Sequence, residues 1–274
     1  MMDPRITPAN ERVAAIYLKG KVKSKSFSRG VLKECSLGIA DLLNSPQGNR
    51  VSQLFLGDRV RVFEVVKGFA YVQVEKDNYC GYVKDNLLRS PSNISHWVSV
   101  SGSTLYFEDN LKKREISELY LGGVVEVKND DGVWAELISG GFIPSCHLKK
   151  LNNKLSDHVG VSRFFLNTPY LWGGCSRKGV DCSGLVQTAL HSCGISCPRD
   201  TDMQEFLVGK RINVQDAKQG DLVFWKGHVG ILSKKNTLLH ASAFHMSVVE
   251  EDFRSAKNRI EESKGGKITT VRRI

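Results

Sequence analysis

Apolar and polar residues alternate with period two over much of the first half of the chain, and the alternation comes twice. The runs "VSQLFLGDRVRV" (51–62) and "ISELYLGGVVEV" (116–127) share one pattern: a β-branched residue, Ser, a polar residue, Leu, an aromatic, Leu, Gly, then alternating valines. Each is followed by a second alternating run, "FAYVQV" (69–74) and "VWAELI" (133–138), and by a third that carries glycine, "YCGYV" (79–83) and "GGFIP" (140–144). Successive strand side chains point to opposite faces, so this alternation with frequent turn residues predicts short antiparallel strands. Residues 31–92 and 93–151 therefore read as two copies of one small all-β barrel. Residues 1–30 are mixed, and "NERVAAIYLKG" predicts a short helix packed on the first copy.

After residue 151 the period changes. "DHVGVSRFFLN", "DCSGLVQTALHSCG" and "DTDMQEFLVGKR" read as helices, and "DLVFWK", "HVGILS" and "TLLHASAF" as consecutive strands. Residues 152–274 are thus expected to form an α+β domain. From Cys182 the apolar positions Leu185, Val186, Ala189, Leu190 and Cys193 fall on one helical face. Asp181 is placed as its N-cap and Gly194 as its terminator.

Composition narrows the class. With 41% apolar and 25% charged residues the chain reads as an ordinary globular protein. No apolar run approaches the roughly 18–20 residues of a membrane-spanning helix, and the N-terminus shows no signal-peptide pattern, so a cytoplasmic protein is expected. Seven dispersed cysteines without a Cys-x-x-Cys pair fit neither a disulfide framework nor a zinc site, and most are expected to be reduced and buried. The net charge of +10 comes from scattered lysines and arginines with no zinc-finger spacing or RNA-binding signature. It reads as a solvated basic surface rather than a nucleic-acid site.

One cysteine stands apart. Cys182 falls in the first turn of its helix, where free backbone N–H groups and the helix dipole favour an anion. That position is expected to lower the thiol pKa and to offer N–H groups to a developing oxyanion. Gly179 and Gly184 are expected to leave room for a substrate backbone. Downstream, His228 opens "HVGILS" and His240 lies in "LLHAS". A turn at "KKN" (234–236) would pair the two strands and bring both rings to one end of the sheet. A nucleophile needs a base and a group that orients it, and His228 and His240 fit those roles. His245 reads as structural, and Cys175 as a bystander.

The blocks "TPYLWGGCSRKGVDCSGLV", "GDLVFWKGHVGIL" and "LLHASA", in this order, resemble the signatures of the NlpC/P60 cysteine peptidases, papain-like enzymes that cut peptidoglycan peptides. The resemblance implies Cys182 as nucleophile, His228 as base and His240 as third polar residue, with no metal or organic cofactor. It also implies substrate contacts from Tyr170, which would help hold the oxyanion, and from Asp181, Ser183 and Asp200. Thr201 stands where the family usually has Ser. The two β modules resemble bacterial SH3-like domains of a subgroup that recycles murein peptides, in which a tyrosine of the first module walls the cleft. Tyr79 and Tyr82 are the candidates here. The implied function is cleavage of the γ-D-glutamyl–diamino acid bond in murein tri- and tetrapeptides with a free N-terminal L-alanine. An amidase or acyltransferase on the same scaffold is one rival reading. A wall-binding protein with an inert peptidase domain is another.

Overall fold

The computed structural model describes residues 2–263 and 265–274. The chain divides into two compact units between Leu151 and Asn152.

The alternating runs of the first unit are strands, at Arg50–Phe55, Arg59–Val66, Phe69–Val74 and Cys80–Lys84 in the first half. In the second half they are Glu115–Tyr120, Val124–Val125 with Val127–Asp130, Trp134–Leu137 and Phe142–Pro144. The pairing repeats along with the sequence. Arg50–Phe55 lies beside Ile39–Leu43, then Cys80–Lys84, Phe69–Val74 and Arg59–Val66. In the same order, Glu115–Tyr120 lies beside Gly102–Tyr106, Phe142–Pro144, Trp134–Leu137 and Val127–Asp130. Each half buries its own apolar cluster, Leu42, Leu54, Val60 and Val72 in one and Leu105, Leu119, Val125 and Leu137 in the other.

The N-terminal segment packs on the first of these sheets, but not as a helix. It forms a strand at Val13–Ala15, paired in parallel with Ser26–Ser28, and one 3-10 turn at Ile16–Leu18. Val13, Ala15 and Leu18 are buried against Phe63 and Tyr71. Isolated short helices are marginal in water, and here the β-sheet surface offers a better way to bury the same apolar residues.

Among the described residues, the second unit has a six-stranded antiparallel sheet, a two-stranded one of Cys175–Ser176 with Gly179–Val180, and four α-helices. The six strands are β1 (Lys210–Ile212), β2 (Leu222–Trp225), β3 (His228–Lys234), β4 (Thr237–Ser242), β5 (Ser247–Asp252) and β6 (Thr270–Arg273). Their spatial order is β1-β6-β2-β3-β4-β5. The helices are α1 (His158–Arg163), α2 (Cys182–Ser192), α3 (Thr201–Leu207) and α4 (Phe253–Glu262). α2 is buried on nearly every face, from Cys182 to Leu190 and at Ser192, as expected of a central helix in an α+β core. Among the described residues no helix is long and apolar enough to cross a membrane. All seven cysteines are free thiols, five of them buried.

Candidate active site

The start of α2 is fixed by one carboxylate. Asp181 caps the helix by accepting from the Gly184 N–H at 2.7 Å, and its other oxygen accepts from the Gly173 N–H at 2.8 Å. Arg199, 1% exposed, grips the same carboxylate with both terminal nitrogens, at 3.0 and 2.7 Å. Burial opposes the guanidinium charge, but Asp181 outweighs it and keeps Arg199 protonated. The Ser183 hydroxyl donates to Asp181 and accepts from Arg199. These contacts correct the expectation that the Asp181 and Ser183 side chains face substrate. Both are buried with their hydrogen bonds made inside the protein, where they hold the floor on which Cys182 stands.

The glycines beside this floor also serve a different end from the one expected. Gly179 and Gly184 are buried rather than open. A Cβ on Gly184 would collide with the Gly174 carbonyl oxygen, and one on Gly179 with Leu171. They let neighbouring segments of the protein pack closely, Gly184 on the Gly174 backbone and Gly179 on the Leu171 side chain.

Cys182 is 5% exposed. Its Sγ lies 3.8 Å from the Thr201 hydroxyl and takes a hydrogen bond from the Val229 backbone N–H. Val229 follows His228, so this bond brings the head of β3 to the thiol. The structure corrects the expected acidity. Burial, reinforced by the Asp181 charge, pushes the Cys182 pKa up to about 11, despite the hydrogen bonds from Thr201 and Val229. The helix start favours an anion, but the loss of water costs more.

Three strands then carry a line of hydrogen bonds. The Nε2 of His228 on β3 lies 2.7 Å from the Nδ1 of His240 on β4. The Nε2 of His240 lies 2.8 Å from the Oε1 of Glu251 on β5. His240 pairs with Val249 and Glu251 with Leu238, so the contact is a diagonal across the ladder, within reach of long side chains. Gly230 makes room for it: a Cβ there would stand 3.1 Å from the His240 Cβ and 2.7 Å from the Leu238 Cδ1. Burial, then the neighbouring His240 and Arg259, press the His228 pKa down to about 3, and burial also lowers His240. Burial works to raise Glu251, yet its bonds to His240 and Arg259 bring it down to about 2. At neutral pH the line is thus two neutral imidazoles ending on a carboxylate.

The other expected residues divide. Tyr170 is half-buried, and burial, then the nearby Cys182 and Asp181, raise its pKa and keep the phenol protonated. Thr201 reaches the thiol from the first turn of α3, and Asp200 sits at that helix's N-cap. Tyr79 is 5% exposed and packed into the core of the first sheet. Tyr82 is half-buried, its ring 5.0 Å from Tyr71 and its hydroxyl near Asn10. His245 is 3.5 Å from Glu251, at the far end of the line from Cys182.

Sequence reasoning missed Arg199, Glu251 and Arg259. Arg199 carries no spacing signal, because it reaches Asp181 from 18 residues away. Glu251 lies in "EED", three acids in a row, and only the strand register says which one meets His240.

Comparison with known proteins decides the family. A protein from Lysinibacillus sphaericus named "Dipeptidyl-peptidase 6" is 38% identical over 217 residues, which cover 70% of this chain and 80% of that one. The chain belongs to the NlpC/P60 family. Residues 167–261 match the NlpC/P60 family itself, and residues 42–88 match the bacterial dipeptidyl-peptidase SH3 domain. A Bacillus subtilis "Gamma-D-glutamyl-L-lysine dipeptidyl-peptidase" is 30% identical over 178 residues, 60% of each chain. The chain spans about half the length of two probable endopeptidases of Haemophilus influenzae, 51% and 47%. The crystal structure of an NlpC/P60 family protein from Bacillus cereus shares the fold, with a TM-score of 0.73 at 19% identity over 89% of this chain and 99% of that one.

Proposed function

We propose that this chain is a cysteine peptidase that hydrolyses the γ-D-glutamyl–L-diamino acid bond of murein tri- and tetrapeptides bearing a free N-terminal L-alanine, in cytoplasmic recycling of wall peptides. The observation that carries the reading is the His228–His240–Glu251 line, whose His228 immediately precedes the Val229 that hydrogen-bonds the buried Cys182 at a helix start. The name of the Bacillus subtilis relative supports the bond, and that of the Lysinibacillus relative supports a dipeptidyl-peptidase. The repeated strand order supports a second SH3-like module at residues 93–151 after the first.

In this reading His228 takes the proton of Cys182 as Sγ attacks the substrate carbonyl. The C–S bond forms while the carbonyl π pair moves to oxygen, which accepts hydrogen bonds from the start of α2 and from the Tyr170 phenol. His228 returns the proton to the departing amine, leaving a thioester that water hydrolyses by the reverse sequence. Because thiol and imidazole are both neutral at rest, the base acts when the carbonyl is in place rather than through a standing ion pair. Asp200 and Thr201 receive the amino end of the peptide.

A paired digestion tests this. L-Ala-γ-D-Glu-diamino acid peptides should be cut before the diamino acid, and N-acetylated ones should survive. Equal rates on both forms would refute the free-terminus requirement. Products cut elsewhere would refute the bond assignment and point to acyl transfer.

A further inference from the structure

The sheet side of the site contains a residue whose chemistry decides what both histidines can do. Glu251 is an ionised carboxylate, and a carboxylate only accepts hydrogen bonds. His240, 2.8 Å away through Nε2, must therefore carry its proton on that nitrogen. A neutral ring protonated at Nε2 has a bare Nδ1, and it is Nδ1 that lies 2.7 Å from the Nε2 of His228. His228 must then donate through Nε2, which leaves its Nδ1 as the ring's one free lone pair. The choice of basic atom at His228 is thus made two strands away.

Glu251 is itself held. Arg259 on α4 donates to its Oε2 through Nη1 at 2.9 Å and to its Oε1 through Nη2. The guanidinium also lies over the Phe244 ring, 4.6 Å from its centroid. His245 approaches the same Oε1 at 3.5 Å from the β4–β5 turn. The charged and titratable groups facing Glu251 are therefore His240 from β4, Arg259 from α4 and His245 from the turn.

We propose that Glu251, clamped by Arg259, is a positioning residue that sets the tautomers of His240 and His228 and so selects the Nδ1 of His228 as the atom that takes the Cys182 proton. When that proton arrives, positive charge spreads along a line that ends on a negative one. The catalytic consequence rests on the peptidase reading; the tautomers do not.

Two measurements on the full chain test the proposal. Imidazole ¹⁵N spectra of the unaltered protein near neutral pH should show both His228 and His240 protonated at Nε2. A proton on the Nδ1 of His240 would overturn it, whether or not any variant folds. Glu251→Gln keeps the shape, but its amide can turn an N–H toward His240 and force the wrong tautomer. It should lower kcat by about 10²–10⁴-fold, the scale for a tautomer-fixing carboxylate behind a catalytic histidine, with KM changed by less than about threefold. The acid limb of its kcat/KM profile should move to lower pH, because an imidazolium has lost its negative neighbour. A merely structural Glu251 would leave kcat within about threefold and the limb in place, and that result would also overturn the proposal. If the unaltered protein cut no murein peptide, the peptidase reading would fall while the ¹⁵N result still decided the tautomers.

Discussion

The two sides of the site are built on opposite plans. On the helix side, a buried ion pair between Asp181 and Arg199 fixes the backbone, and nothing there needs to move. On the sheet side, neutral rings are linked by hydrogen bonds between strands, and only the far end is charged. A buried pair is costly to desolvate but very costly to break. A relay of neutral groups is cheap to keep but sensitive to a few tenths of an ångström. The comparison separates rigidity, supplied by charge, from reactivity, which here depends on charge being absent until substrate arrives.

Substitutions on each side should separate these roles. Cys182→Ala should abolish hydrolysis, a loss of at least about 10³-fold, with thermal unfolding nearly unchanged because the floor beneath it is intact. Persistent hydrolysis would remove Cys182 from the chemistry. Arg199→Ala leaves Asp181 as a buried unpaired charge and should cost about 3–5 kcal/mol in urea unfolding. A cost under about 1 kcal/mol would mean the pair is not what fixes the helix start. The reactivity of the resting thiol can be read by iodoacetamide. With its pKa pushed up to about 11, alkylation of Cys182 should rise about tenfold per pH unit through neutrality and beyond. A plateau near neutral pH would instead show a standing thiolate, and the contrast between the two sides would collapse. Gly230→Ala should cost about 1–3 kcal/mol by overpacking against Leu238 and His240. It should slow turnover more than the loss in stability explains; unchanged turnover would mean the relay tolerates displacement.

The same contrast marks what the sequence could tell. The helix side was legible in position because its logic is local: Asp181, Cys182 and the apolar face of α2 lie within one run. Its acidity was not, because burial is a property of everything packed around Cys182, and burial outweighs the helix end. On the sheet side, the turn at 234–236 is short enough to predict that His228 and His240 meet. Glu251 is one strand further, and register among three adjacent acids is set by pairing rather than by composition. Tyr79 and Tyr82 differ by three residues, and only the strand's facing told the core tyrosine from the half-buried one. The repeat was visible because similar patterns fold to the same order of five strands.

β5 is one of the two end strands of the sheet, and it carries more than Glu251. Its outer edge exchanges hydrogen bonds with the segment leading to Tyr170, through Asn167 N–H to Val248 O and Val248 N–H to Thr168 O, and the Tyr170 N–H reaches Met246 O just before the strand. Regions with few buried apolar contacts open before the core does, and β5 fully buries only Val248. Fraying of β5 would release the tautomer-setting carboxylate and the phenol together while the rest of the core stayed closed. Loss of activity on warming should therefore run ahead of global melting, and the amides of 247–252 should exchange with solvent before those of β3 and β4.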